Sequence, residues 1–463
     1  MTGVDAMPDY DVIVIGGGGA GLAAAASAAQ SNARVLLVEA AGQLGGSTRL
    51  AGGSFMAAGT PTQAQAGYPD DTADAFFDYY LTFNRWDVEP AIARRFCDRA
   101  LPTMTWLTEL GVVFPVEGLY RAGLEPAPRS HRPTGGGAAI VEALSRAARA
   151  LDVDIALGRR VERLSTSADG LVRCTDSTGE PVTATSVVLT TGGFGHDRDL
   201  VRQHIPDAAF GGDEVWSPAA DTCVGDGLRF AAQLGASTTG RNRGDLLLSS
   251  GLVRDIEPYP PGWLVFVDGQ GRRYVNELAP YTVITPLTIA HGGAGWVLFD
   301  DVACRAARPR PDSAWGAGTW TTETLLDGVA KGVVRTASDL GELAKLIDVQ
   351  PSVLRATVER YNADCESGVD TEFFKDPQAM RPIATPPFYA VELRPRVVAV
   401  TGYGLRIDPD ARVLDPDGHP IPGVFAAGEV TGNVIGPQYL GGGNAIGSAL
   451  IFGRIAGQSA IVT

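Results

Sequence analysis

The chain has 463 residues, 45% of them hydrophobic and 20% charged, with a formal net charge of −15. That length suffices for two domains with substantial cores. An acidic balance without a long basic run argues against nucleic acid or an anionic membrane as partner. The five cysteines (Cys97, Cys174, Cys223, Cys304 and Cys365) are scattered and form no C-x-x-C pair, which points to reduced thiols in a cytoplasmic protein and away from a disulfide framework or zinc ribbon. The first strand is expected by Asp11, so no signal peptide is expected. No apolar run is long enough to predict a transmembrane segment.

Residues 11–40 read as strand, glycine turn, helix, strand. Val12 to Ile15 is a short buried strand; Gly16, Gly18 and Gly21 form G-x-G-x-x-G; an alanine-rich helix runs through Gln30; and a second strand, from Arg34, ends at Glu39. A lone G-x-G-x-x-G is weak evidence, but a strand before it, a helix after it and a closing acid make it a dinucleotide site. The glycines let backbone approach a pyrophosphate, the helix dipole favours its charge, and Glu39 suits both ribose hydroxyls. The small residues and hydroxyls of Gly45 to Gly53 suggest a second line of cofactor contact.

The aromatics from Phe76 to Trp106 have helical spacing and read as core. Arg129 to Gly137 precedes a helix predicted from about Ala138. Strands are expected at Asp154 to Leu157, Val161 to Leu164 and Leu171 to Thr175. Ser186 to Thr190 reads as a buried strand running into a glycine turn, and Thr222 to Gly227 as the opening of a helix. Residues 245–392 hold short strands (Trp263 to Val267, Gly295 to Phe299) and proline-rich weak helices, and read as an inserted cap or substrate domain. The dinucleotide-binding domain is then discontinuous, 1–244 and 393–463, with the active site expected where the two domains meet. After the strand Val424 to Gly428 come Glu429, the triplet Gly441-Gly442-Gly443 with Tyr439 just before it, and a helix beginning near Asn444. A helix N-terminus behind such a turn presents unpaired N–H groups and a positive dipole end. His131, His196, His204, His291 and His419 show no ligand spacing, so no metal site is expected and they read as structural.

These motifs resemble the flavoprotein family of fumarate reductases, succinate dehydrogenase flavoprotein subunits and 3-ketosteroid dehydrogenases. The marks are GGGGAG at 16–21, GGSTRLAGG at 45–53, RSHRPTGGG at 129–137, TTGGF at 190–194, GDG at 225–227, RRYVNE at 272–277 and IPGVFAAGEVTG at 421–432, in the family's order. The resemblance implies an α/β architecture, a Rossmann-like FAD-binding domain with an inserted α+β cap. It also implies FAD contacts at Gly16, Gly18, Gly21, Glu39, Ser47, Thr48, Gly52, Gly53, Val161, Asp226, Glu429, Ala445 and Ile446. Covalent members attach FAD through a histidine in the stretch matching 45–53, where this chain has none, so the FAD is expected to be non-covalent.

Two branches divide on substrate. The fumarate branch needs cations around a dicarboxylate, because a buried unpaired charge is very costly. Here Tyr281 follows RYVNE where that branch has arginine, Ile435 and Tyr439 replace its final histidine and arginine, and Leu247 to Gly251 occupies the region of its histidine-proline element. The 3-ketosteroid Δ1-dehydrogenase branch is matched by Asn276-Glu277-Leu278-Ala279-Pro280-Tyr281 and by Tyr439-Leu440-Gly441-Gly442-Gly443, although Asn444-Ala445-Ile446 is closer to the fumarate branch. By resemblance, Tyr439 hydroxyl and the Gly443 amide polarise a ketone oxygen as an oxyanion hole does, Tyr281 takes the α-proton, and Tyr120 is the nearest candidate for a third tyrosine. The expected reaction is α,β-dehydrogenation of a 3-ketosteroid or smaller cyclic ketone. The electron acceptor stays open among quinone, oxygen and a carrier. A fumarate reductase-like reductase of an unsaturated acid or enone is the first alternative; a flavin-bearing, partner-binding subunit is the second.

Overall fold

The computed structural model describes residues 7–167, 170–257, 259–309 and 318–462. They form two units, one of Met1–Pro206, Ser217–Asp245 and Ala399–Thr463, the other of Asp207–Trp216 and Leu246–Val398. The sequence-based division differs in assigning residues 207–216 and 393–398 to the first part and Asp245 to the second. In the structure Trp216 bridges Val397 in parallel, a pairing between segments far apart in sequence that no local pattern signals.

The first unit is built on a sheet whose central strand, Tyr10–Ile15, pairs in parallel with Val35–Glu39 and with Pro181–Leu189. Its apolar run is continuous because a central parallel strand is covered on both faces. The order runs Arg412–Leu414, Pro420–Ala426, Pro181–Leu189, Tyr10–Ile15, Val35–Glu39, Asp154–Leu157, with Val161–Thr166 and Val172–Asp176 attached through Pro181–Leu189.

Two helices set the geometry of everything that follows. Gly19–Ala29 is buried along its whole length. It packs against Asn444–Ser459 with so little space that a Cβ on Gly453 would lie 2.4 Å from Ala20 O and one on Gly457 2.2 Å from Ala24 O. Ala20 and Ala24 match Gly453 and Gly457 in the same direction, so the two helices are parallel. At 1.5 Å per residue, the N-terminus at Asn444 overhangs that at Gly19 by about 12 Å. Two positive helix ends therefore face the same way at two depths, each favouring negative charge placed before it.

The second unit is α+β. An antiparallel sheet, ordered Gly244–Ser249, Phe388–Thr401, Gly295–Asp300, Val265–Val267, with Val334–Ala337 also on Phe388–Thr401, carries two hydrophobic clusters. The strand expected from Trp263 starts at Val265, because Pro261 and Gly262 turn the chain there and Leu264 N–H bonds back to Pro261 O. The helix Tyr281–Ala290 begins at Tyr281, behind Pro280. Just before it, Glu277 is buried between Arg273 (Nη2, 3.0 Å) and Lys375 (Nζ, 3.2 Å), and Arg273 also bonds Asp370 at 2.8 Å.

Candidate FAD and substrate site

At the first turn the backbone explains some glycines and leaves one over. Gly16 has φ +108, and a Cβ on Gly21 would sit 1.8 Å from Gly16 O, so both are fixed by the fold. Gly18 has an ordinary extended conformation, φ −74 and ψ −172. A Cβ there would meet nothing nearer than Gly45 O at 3.9 Å. Neither strain nor crowding requires glycine at that position, and its lack of a side chain leaves this helix end clear. That is the fit expected of a phosphate-bearing cofactor at this helix end.

The neighbouring contacts are preset. Glu39 is buried, its two oxygens taking Gly17 N–H at 2.6 Å and Ala41 N–H at 2.7 Å. Gly45 bridges Gly18, and Thr48 Oγ1 accepts from Gly19 N at 3.2 Å. Ser47 Oγ accepts from Ala220 N at 3.0 Å and lies 3.5 Å from the thiol of Cys223, which burial pushes up to about 11. Gly53, at φ +74, packs on Gly137 N, and Gly52 lies against Gly136. Val161 opens its strand and its carbonyl accepts from Arg229. The Asp226 carboxylate is paired with Arg160 and Arg229 and stands in the first turn of its helix. Glu429 is held by Thr401 N and Oγ1, both at 2.8 Å, and burial raises its pKa.

The second helix end carries Tyr439. Its hydroxyl oxygen accepts the Ala445 N–H at 3.2 Å, the amide also expected to meet the flavin; Ile446 follows in the same turn. Gly443 caps the helix at φ +107, and a Cβ there would crowd Met56 N at 2.9 Å. Tyr120 is brought to the same place. It stands on a three-stranded sheet with Phe55–Met56 and Ser130–His131, and its hydroxyl donates to Ser54 Oγ at 2.9 Å. A Cβ on Gly442 would come within 2.4 Å of that hydroxyl. Ser130 Oγ fastens the sheet to Gly442 O at 2.5 Å. The Arg132 guanidinium lies over the Tyr120 ring, 5.2 Å from its centre.

Burial, and after it the buried carboxyl of Asp245, drives the Tyr439 phenol well above its ordinary pKa. Asp245 is itself raised well above the usual range by burial. The sequence reading missed Asp245 and drew a domain boundary at it; an acid at the head of the apolar run Leu246 to Leu248 was the available signal. His131 is buried between Thr60 Oγ1 (2.8 Å) and Arg129 O (2.8 Å) and its pKa is lowered by burial. His419 groups with Asp415 and Asp417 closely enough to share an ion, which its spacing had not suggested. Asp415 there caps a turn through the amides of Asp417 and His419.

Tyr281 belongs to the second unit. It is buried, packs edge-on to Tyr259 with ring centres 5.6 Å apart, and lines a small cavity with Glu257. Glu257, also missed in the sequence, is pushed up to about 7 by burial.

A staggered pair of helix ends behind glycine turns suits a dinucleotide such as FAD, and the family match and relatives make this a flavin-dependent oxidoreductase. The chain belongs to the FAD binding domain family FAD_binding_2, matched over residues 11–446. It is 30% identical to a probable fumarate reductase of Shewanella frigidimarina over 97% of this chain and 74% of that protein. It is 27% identical to a 4-oxocyclohexanecarboxylate 2-dehydrogenase of Sinomonas cyclohexanicum over 97% of this chain and 92% of that protein. The structure of a 3-ketosteroid-Δ4-(5α)-dehydrogenase from Rhodococcus jostii RHA1, in complex with 4-androstene-3,17-dione, superposes with a TM-score of 0.81 at 27% identity, covering 99% of this chain and 98% of that one. The family reading and the α/β FAD-binding architecture thus stand, with FAD as cofactor and flavin chemistry on C–C bonds. Among the described residues no helix is long and apolar enough to cross a membrane.

Proposed function

We propose that the protein introduces a C=C bond α,β to a ring ketone, with the 3-keto ring of a steroid (Δ1-dehydrogenation type) as leading substrate and a smaller cyclic ketone as variant. The observation that carries this reading is the company of Tyr439: an amide from the helix end, the phenol Tyr120 and the carboxyl Asp245. Such a set offers a neutral oxygen a donor and itself carries no countercharge for a dicarboxylate, the Arg132 guanidinium beside it lying against the Tyr120 ring. Its raised pKa keeps Tyr439 a phenol, and because its oxygen takes the Ala445 N–H, its own proton is left to give to a carbonyl. In this reading the Gly443 amide is the second donor and Tyr281 removes the α-proton. FAD, held without a covalent bond, supplies the hydride acceptor when bound.

The test is anaerobic mixing of the holoenzyme with 3-ketosteroids and cyclohexanones while oxidised-flavin absorbance is followed. A ketone should bleach the flavin, and Tyr281→Phe should slow bleaching on the order of a hundredfold or more. An unchanged rate in that variant removes Tyr281 as base. The likeness to fumarate reductases supports a second reading, reduction of an unsaturated acid or enone. Reoxidation of the reduced enzyme by fumarate, with no ketone able to bleach it, would select that one.

A further inference from the structure

Within the second unit, Leu248, Glu257, Pro260, Tyr281, Thr285 and Trp320 line a cavity with about 10 Å³ open to the centre of a water, room for about one molecule. Glu257 is only 7% exposed. Its carboxylate accepts from Ser250 Oγ at 2.9 and 3.0 Å and, more weakly, from Ser249 Oγ at 3.4 Å. No lysine, arginine or histidine is among the described residues lining the cavity. Tyr281 is the other titratable group there, and Asp255, on the same loop, is the charged neighbour that acts on Glu257. The Ser250 backbone also steadies it; a buried carboxyl held by hydroxyls and an amide, with no cation paired to it among the described residues, is an expensive way to fasten a loop. It does provide a place for a proton.

A phenol that takes a proton from carbon must lose its own. We propose that Glu257 is the acceptor behind Tyr281, linked to it through one water in this cavity; the proposal rests on Tyr281 being the base. The α C–H bond breaks and its electron pair becomes the new C=C bond. The proton joins the Tyr281 oxygen, whose O–H proton passes to the water, and a water proton passes to the Glu257 carboxylate. FAD, when bound, would supply the two-electron acceptor for the β-hydrogen and its electron pair, and Glu257 later returns its proton to solvent. Glu257 thus acts through Tyr281 and does not touch the substrate.

The experiment compares wild type, Glu257→Gln, Ser250→Ala and Tyr281→Phe as holoenzymes. It reads anaerobic flavin reduction against pH by a ring-saturated 3-ketosteroid and by cyclohexanone, together with infrared titration of the protonated carboxyl in the protein without substrate. In wild type the rate should rise with pH through about 7, as Glu257 ionises, and the carboxyl band should fade over the same range. Glu257→Gln should lose both the bend and the band and run roughly tenfold to a hundredfold slower at unchanged substrate affinity. Ser250→Ala removes a donor to the ionised form, so bend and band should move to higher pH; this variant carries the test should the glutamine protein fail to fold. A wild-type bend surviving in Glu257→Gln, or a band unmoved in Ser250→Ala, overturns the relay. If Tyr281→Phe bleaches normally the base assignment falls and the relay with it. A dead Tyr281→Phe beside a Glu257→Gln of wild-type pH profile sinks the relay alone.

Discussion

Glu277 and Glu257 are both buried in the second unit, and they keep opposite company. Glu277 belongs to a closed set of two acids and two bases, with Arg273, Lys375 and Asp370, and Phe266 N–H also bonds to it at 3.1 Å. Arg273 holds the Asp370 carboxyl far below the usual range against the pull of burial. Every charge there is explained by another charge of the chain. Glu257 has hydroxyls and a cavity. The same division runs through the first unit, where Gly21 is explained by Gly16 O and Gly18 by nothing in the protein. Residues accounted for by their neighbours hold the fold; those with a remainder are where chemistry or a ligand is to be sought.

The largest effect should come from breaking the closed set. Glu277→Gln leaves Arg273 and Lys375 short of a countercharge in the interior, and removing one partner of a buried network typically costs about 3–5 kcal/mol. Urea unfolding should show the loss. Because Glu277 lies four residues before Tyr281, flavin content should survive better than ketone turnover.

Glu257→Gln should do the reverse above neutrality. Its folded pKa of about 7 lies above its unfolded value, so between the two the native state binds a proton the unfolded chain has released. Stability contributed by the protonated form is complete below the unfolded pKa and is lost as pH rises through about 7, an amount on the order of 3 kcal/mol. The glutamine variant escapes that loss. It should match wild type near about pH 4 and exceed it by about that amount near about pH 8 in urea titrations. A constant difference between the two pH values would mean the carboxyl titrates normally.

What was legible in the sequence follows the same line. The first turn was readable because its constraints act between residues a few positions apart, so Gly16, Gly18 and Gly21 stand together with a strand and helix on either side. The last helix was readable from the glycine triplet and the apolar spacing beyond it. Its parallel stagger against the first helix was not, since Gly453 and Gly457 meet Ala20 and Ala24 across more than four hundred positions. Tyr120 reached the Tyr439 turn by way of a small sheet whose strands are two residues each, too short to carry any alternation. Glu257 had no local mark at all; a loop acid acquires meaning only when folding removes its water and supplies Ser249, Ser250 and Tyr281.

The smallest effect is the sharpest on the comparison. Gly18→Ala adds one methyl where the chain leaves 3.9 Å of clearance and the backbone is already extended, so the protein should fold with an unfolding free energy in urea within about 0.5 kcal/mol of wild type. The same methyl projects where a pyrophosphate would approach the helix end, and FAD affinity should fall on the order of tenfold, about 1.4 kcal/mol. Gly21→Ala, with its Cβ 1.8 Å from Gly16 O, should instead lose fold and flavin together. Measured as FAD dissociation constant against unfolding free energy, the two alanines should separate along different axes. A Gly18→Ala protein that binds FAD as tightly as wild type would mean that its missing side chain leaves room for nothing.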